Sequence, residues 1–174
     1  MGADVEREKR LAAEAAAALV EDAMTVGLGT GSTAEHFLAA LAERGLELRC
    51  VATSSATERA ARALGLRVES FAGPGALPRL DLAVDGADQV APTGWVVKGG
   101  GGAHTREKIV AAAAERFVVI VSSDKLVEKI RPPIALELLE FGLAATLDSL
   151  EHVELRAADR TPDAGVLADW TGPV

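Results

Sequence analysis

Residues 22–45 read DAMTVGLGTGSTAEHFLAALAERG. An apolar run from Met24 to Leu28 enters a glycine-rich turn, and helix-forming residues follow as far as Gly45. Ser32 and Glu35 stand at the capping-box spacing, which satisfies orphan N–H groups at a helix start. The unit is strand, glycine turn, helix, and the chain repeats it. LELRCVAT (46–53) leads into SSATERAARALG (54–65), where Ser55 and Glu58 repeat the spacing and Gly65 reads as a C-terminal stop. LRVESF (66–71) reads as a strand, and LDLAVDGADQV (80–90) as a strand buried on both faces until it breaks at DGAD. WVVKGGGG (95–102) is a short strand entering four glycines, HTREKIVAAAAE (104–115) a helix, and RFVVIVSS (116–123) another buried strand. In front of all this, VEREKRLAAEAAAALV (5–20) is a helix with one polar face.

Strands alternating with helices at these lengths predict an α/β fold: a Rossmann-like parallel sheet flanked by helices, spanning residues 1–130. Beyond Lys125 the pattern changes. PPIALELL (132–139) is a Pro-marked strand, FGLAATLDSL (141–150) a helix, and VELR (153–156) and GVLADW (165–170) short strand-like runs. Residues 131–174 therefore read as a small, incomplete α+β second lobe.

The 174 residues are 49% apolar but only 3% aromatic, and the net charge is −8. Few aromatic faces argue against stacking on single-stranded nucleic acid. The acidic balance argues against binding phosphate backbones or anionic membranes. An anionic ligand must then be small and met by a local cluster of donors. The single Cys50 excludes an intrachain disulfide and a Cys-based zinc cage, and its strand context predicts a buried thiol. The charged, amphipathic N-terminal stretch does not resemble a signal peptide, and no run reaches the length of a membrane span, so a cytoplasmic protein is expected.

In parallel sheets, ligands bind beyond the carboxyl ends of the strands. Those ends are GTGST (29–33), TSSAT (53–57), DGAD (85–88), KGGGG (98–102) and SSDK (122–125). GLGTGST lacks the G-x-G-x-x-G dinucleotide fingerprint and the Gly-Lys-Ser/Thr of a P-loop. It offers Thr30, Ser32, Thr33 and free backbone N–H groups at a helix N-terminus, a recipe for a phosphate or carboxylate, or simply a tight turn with a good cap. DGAD sets two carboxylates three residues apart, either as turn formers or as functional groups. A metal site is not indicated, because His36 and His152 lie elsewhere and only His104 is near the glycines. Four consecutive glycines are costly in folding entropy and suggest a ligand at the backbone. Glu107 near a helix N-terminus is either a group placed there by the helix dipole alone or, with Lys98 before the glycines, one of two that converge on a small molecule as general base and electrostatic stabiliser.

VGLGTGSTAEHF, TSSATE, DLAVDGAD, KGGGGAHTREKI and FVVIVSSDKLV, in this order across residues 9 to about 130, resemble the A-type ribose-5-phosphate isomerase family. The resemblance implies an enzyme that interconverts ribose 5-phosphate and ribulose 5-phosphate through an enediolate, without metal or organic cofactor. It carries Thr30, Gly31, Ser32 and Thr33 over as the sugar-phosphate loop, with Lys125 and Lys9 as cationic contacts. Asp85 and Asp88, with Gly86 and Ala87 between them, match the sugar-hydroxyl end, where one aspartate assists ring opening. Lys98 with Gly99, Gly100 and Gly101 matches the oxyanion side, and Glu107 the proton-transferring base. A homodimer or tetramer is implied as well. The second lobe departs from the family: Pro133-Ile134-Ala135-Leu136-Glu137 stands where a Pro-Leu-Pro-Val-Glu-like run is usual. Members also continue past residue 174, so apolar surface is expected that is either covered by a partner or tolerated. A catalytically silent sugar-phosphate sensor is the alternative, and a CoA-transferase-like enzyme is disfavoured by the phosphate loop with Lys125.

Overall fold

The computed structural model describes residues 2–155 and 165–173. In chain order its elements are α1 (Gly2–Ala17), β1 (Thr25–Leu28), α2 (Ser32–Glu43), β2 (Arg49–Ala52), α3 (Ser55–Ala63), β3 (Leu80–Asp85), β4 (Gln89–Val90), β5 (Val96–Val97), α4 (His104–Ala113) and β6 (Ala114–Val119). A 3-10 turn at Ser123–Lys125 precedes β7 (Ile134–Leu138), α5 (Leu143–Ser149), β8 (Val153–Leu155) and β9 (Val166–Trp170).

Strands β2, β1, β3 and β6 form a parallel sheet in that order. Val26 of β1 lies opposite Cys50 of β2 and Leu82 of β3, and Asp85 lies opposite Val119 of β6. The near-continuous apolar runs follow from covering the sheet on both faces. On one face Val26, Leu28, Leu82 and Val84 join Phe37, Leu38 and Leu41 of α2 and the alanines Ala13, Ala16 and Ala17 of α1 in one core. On the other, Val51, Leu80 and Ala83 pack with Val110 of α4. Gly27 sets how close α4 lies: a Cβ there would stand 2.5 Å from Val110 Cγ1 and 2.9 Å from Ala83 Cβ. The predicted buried thiol is found at Cys50, where burial pushes it up to about 12.

Several expectations need correction. Neither predicted capping box forms as read. Gly31 is the N-cap of α2, with Ser32 already the first helical residue, and Ser54 rather than Ser55 caps α3 by accepting the Thr57 N–H. At α3 two adjacent serines compete for the cap and turn geometry selects the first, while at α2 the turn places a glycine at the cap and moves both hydroxyl residues into the helix. LRVESF forms only a single bridge, Val68 beside Cys50. The strand before the glycines leaves the parallel sheet, and β5 pairs antiparallel with β4 in a separate two-stranded hairpin. Strand β6, read as buried, is an edge strand whose Glu115, Arg116 and Phe117 are exposed. Its apolar character was legible, but burial depends on neighbours that a single strand does not encode.

Beyond Lys125 the strands form an antiparallel sheet in the order β7-β9-β8, and α5 lies between β7 and β8 in the chain. Arg156, the last residue of the predicted run VELR, lies outside the described residues. Among the described residues no helix is long and apolar enough to cross a membrane.

Replacing Gly27 by Ala is expected to lower unfolding free energy by about 1–3 kcal/mol, the usual range for overpacking. Urea titration measures it, and adding Val110→Ala should return part of the loss; equal stability in wild type and single variant would remove the steric argument.

Candidate active site

The carboxyl end of β3 delivers Asp85 into the protein, 3% exposed. Its Oδ1 accepts the N–H groups of Gly86 (2.7 Å) and Thr30 (3.2 Å), and its Oδ2 lies 3.0 Å from Lys98 Nζ. This carboxylate can reach the first glycine turn only because Gly29 has no side chain: a Cβ there would overlap it. Lys98, directly after β5, also donates to the Gly86 carbonyl and stands 3.5 Å from Glu107 Oε2. Glu107 sits in the first turn of α4 and is 5% exposed. Two buried carboxylates thus share one ammonium.

Burial, and next to it the Asp85 charge, push the Glu107 carboxyl up to about 7 against the pull of Lys98. Burial raises Asp85 as well, opposed first by Lys98. Asp85 has three donors, whereas Glu107 Oε2 is buried and accepts no hydrogen bond among the described residues. The donor geometry therefore favours negative charge on Asp85 over Glu107, and the two carboxyls titrate as a coupled pair.

Around this cluster lies a cavity of ≈ 220 Å³. Thr30, Gly31, Ser32 and Thr33 form one wall, and Gly86, Ala87 and Asp88 a second. Lys98, Gly99, Gly100, Gly101 and Glu107 form a third, and Lys9 and Lys125 stand at its cationic end. Every site residue singled out in the sequence is brought together here, with Asp85 directly beneath. Lys9 is held by Glu6 at 2.6 Å, and Lys125 lies 3.3 Å from Asp124. The Lys9 ammonium and then His36 keep Glu6 below the ordinary carboxylate range. A second bond anchors this end: Glu8 of α1 accepts the Ser123 N–H at 2.7 Å. It ties the helix bearing Lys9 to the turn bearing Lys125.

Two of the four glycines make room for their own neighbours. Gly99 has φ 96°, and a Cβ there would overlap the His104 ring. A Cβ on Gly100 would stand 2.7 Å from Asp88 Oδ1, and the Gly100 N–H donates to Asp88 Oδ2 at 2.8 Å. The loop thereby folds back onto both the DGAD turn and the start of α4.

Sequence reasoning missed a buried hydroxyl cluster. Thr30 Oγ1, counted among the ligand-facing groups, turns instead to Thr53 (2.8 Å), Ser54 (3.0 Å) and Thr57 (3.1 Å). Thr57 Oγ1 donates to the Gly29 carbonyl and Thr53 Oγ1 to that of Leu28. These bonds lock the glycine turn to the next strand end, leaving Ser32, Thr33 and backbone N–H groups to face the cavity. The run TSSAT was a visible signal, but its partner across the sheet was not. Glu137, which reaches the start of α4 from the second lobe, had no local signal. Among the described residues no group of three or more His, Cys, Asp or Glu side chains is placed to hold a metal ion.

Fold and site together define an α/β protein with a glycine turn at a helix N-terminus, facing a buried carboxylate–lysine cluster. The family model of ribose 5-phosphate isomerase A (phosphoriboisomerase A) matches residues 49–171, and the chain belongs to that family. The match runs through the second lobe, including the stretch that departs from the usual family run. Ribose-5-phosphate isomerase A of Nitrobacter hamburgensis is 50% identical over 153 residues, 86% of this chain and 65% of that protein. That of Sinorhizobium fredii is 42% identical over 174 residues, 98% of this chain and 74% of that protein. A solved D-ribose-5-phosphate isomerase in complex with phospho-erythronic acid superposes with a TM-score of 0.87 at 32% identity, over 97% of this chain and 80% of that one. The chain thus spans about two thirds to three quarters of the length of these two curated relatives.

A carboxyl raised in the folded state binds its proton more tightly there than in the unfolded chain. Stability from Glu107 is therefore greatest below its ordinary value of 4.5 and declines as pH rises through about 7. The decline is at most about 3 kcal/mol, since each pKa unit corresponds to ~1.4 kcal/mol. Urea melts at pH 5 and pH 8 should show it in wild type and a much smaller drop in Glu107→Gln; equal drops would place the titration elsewhere.

Proposed function

We propose that this chain is a ribose-5-phosphate isomerase, interconverting D-ribose 5-phosphate and D-ribulose 5-phosphate through an enediolate. The observation that carries the reading is Glu107: a buried carboxyl poised near neutrality, with an oxygen that accepts no hydrogen bond among the described residues and a lysine 3.5 Å away. Family membership supports it, and so does the phospho-erythronic acid held by a solved relative, a four-carbon acid phosphate of the same chemical kind.

In this mechanism the phosphate lies at Gly31, Ser32 and Thr33, neutralised by Lys9 and Lys125. The α2 N-terminus adds N–H donors, since the first turn of a helix leaves them unpaired. Asp85 and Asp88 face the sugar hydroxyls, and one of them takes part in opening the ring. Glu107 removes the proton from C2 and returns it to C1. Lys98 and the amides of the Gly99–Gly101 loop hold the charge that develops on the adjacent oxygens. A positioned base contributes about 10²–10⁴-fold, and preorganised donors often more. No cofactor enters this scheme. Residues 1–130 would form the catalytic domain and 131–174 a lid lobe, in a cytoplasmic homodimer or tetramer. The exposed Trp95, Leu139 and Phe141 are side chains such an assembly would cover.

A silent sugar-phosphate sensor would need the loop and the lysines but no base. Turnover of ribose 5-phosphate in the presence of EDTA separates the two. Glu107→Gln is expected to lower kcat by at least about 10²-fold while ribose 5-phosphate affinity stays within a few-fold. Affinity lost in parallel would make Glu107 structural, and a wild type that binds without turnover would establish the sensor.

In wild type, kcat/KM should rise with pH through about 7, where Glu107 loses its proton, and then level off. Lys125→Ala should chiefly raise KM. An unchanged KM would remove Lys125 from the phosphate site.

A further inference from the structure

Helix α4 begins badly by its own sequence. Its N-cap is Ala103, which has no side-chain acceptor, and the first-turn N–H groups of a helix have no intrahelical partners. The Glu107 N–H is satisfied by the Ala103 carbonyl at 2.9 Å. Thr105, two residues before Glu107, is satisfied from outside: its N–H donates to Glu137 Oε2 at 2.8 Å, from a residue 32 positions further along the chain.

We propose that Glu137, carried by the second lobe, is a positioning residue for the general base: by holding the first turn of α4 it fixes where Glu107 sits relative to Lys98. The proposal rests on the isomerase reading for the word base, but not for the geometry.

Three observations support it. Glu137 lies in β7, where it pairs with Leu167 of β9, a buried residue, so its backbone is anchored by the lobe's sheet rather than by a loop. Its Oε1 is buried without a hydrogen-bond partner among the described residues. A carboxylate at a helix N-terminus gains from the helix dipole, but a buried oxygen left unpaired costs free energy. A serine at position 103 would cap the helix without that cost. What Glu137 adds, and a local cap would not, is a link between the lobe and the turn that bears Glu107. Gln89 makes a separate link nearer the hinge, donating to the Arg131 carbonyl and accepting the Arg131 N–H. It fixes where the lobe starts, while Glu137 fixes what the lobe holds.

The test compares Glu137→Ala and Glu137→Gln in the full 174-residue chain, by ribose 5-phosphate kinetics, thermal melting and a ¹³C-carboxyl NMR titration of Glu107. In Glu137→Ala, kcat should fall about 10–100-fold, the scale of an ångström-sized misplacement. KM should stay within about twofold, because the phosphate end does not depend on α4. The Glu107 midpoint should move down from about 7 toward its ordinary 4.5 as the turn opens to water. Glu137→Gln keeps an acceptor for the Thr105 N–H and should recover most of kcat. Unchanged kcat and Glu107 titration in Glu137→Ala would overturn the proposal, as would a loss of turnover matched by the loss of folded protein. If wild type shows no turnover, the isomerase reading falls alone, and the Glu107 titration decides the positioning role by itself.

Discussion

The site is organised by the burial of one carboxylate. Asp85 ends a strand covered on both sides, and removing its charge from water is tolerable only with donors on every side. Those donors come from three separate segments: the first glycine turn at Thr30, the DGAD turn at Gly86, and Lys98 from the hairpin. Satisfying Asp85 therefore brings together the first glycine turn, the DGAD turn and the residue that opens the second glycine run. Glu107 enters as the second carboxylate around a lysine already committed to the first. Its raised affinity for a proton follows first from burial and next from the Asp85 charge, with Lys98 opposing both.

The cationic end is built on the opposite principle. Lys9 and Lys125 each rest against a neighbouring carboxylate near the surface, Glu6 and Asp124. The Lys125 pair is exposed at 40% on the lysine side and contributes little to stability, whereas the Lys9 side chain, at 15%, is as enclosed as that of Lys98 at 19%. Lys98 differs in what it holds, two buried carboxylates rather than one near the surface.

Much of this was legible in the chain. The order of strands, turns and helices 1 to 3 could be read from periodicity and glycine placement, and all the chosen residues line or underlie one cavity because strand ends converge in parallel sheets. What escaped was set by distant partners. The hairpin of β4 and β5 looked like another parallel strand because two residues carry no sign of their pairing direction. Thr30 looked ligand-facing because its three hydroxyl partners lie more than twenty residues away. Glu137 looked like part of an ordinary strand. Local rules identify which groups are available, and the fold decides which of them are already spent on each other.

The glycines at 27, 29 and 99 each leave room for a particular side chain elsewhere in the chain: Val110, Asp85 and His104. Over evolutionary time such pairs do not drift independently. Val110 can shrink first and relieve the closest contact at position 27, though Ala83 Cβ would still stand 2.9 Å away; at position 99 the φ of 96° strains any side chain even with His104 shrunk. Gly29 has not even the relief open to position 27, since the side chain filling its space is the carboxylate the site is assembled around. Among sequences descended from this one, position 29 should outlast its neighbours as glycine for as long as position 85 remains aspartate.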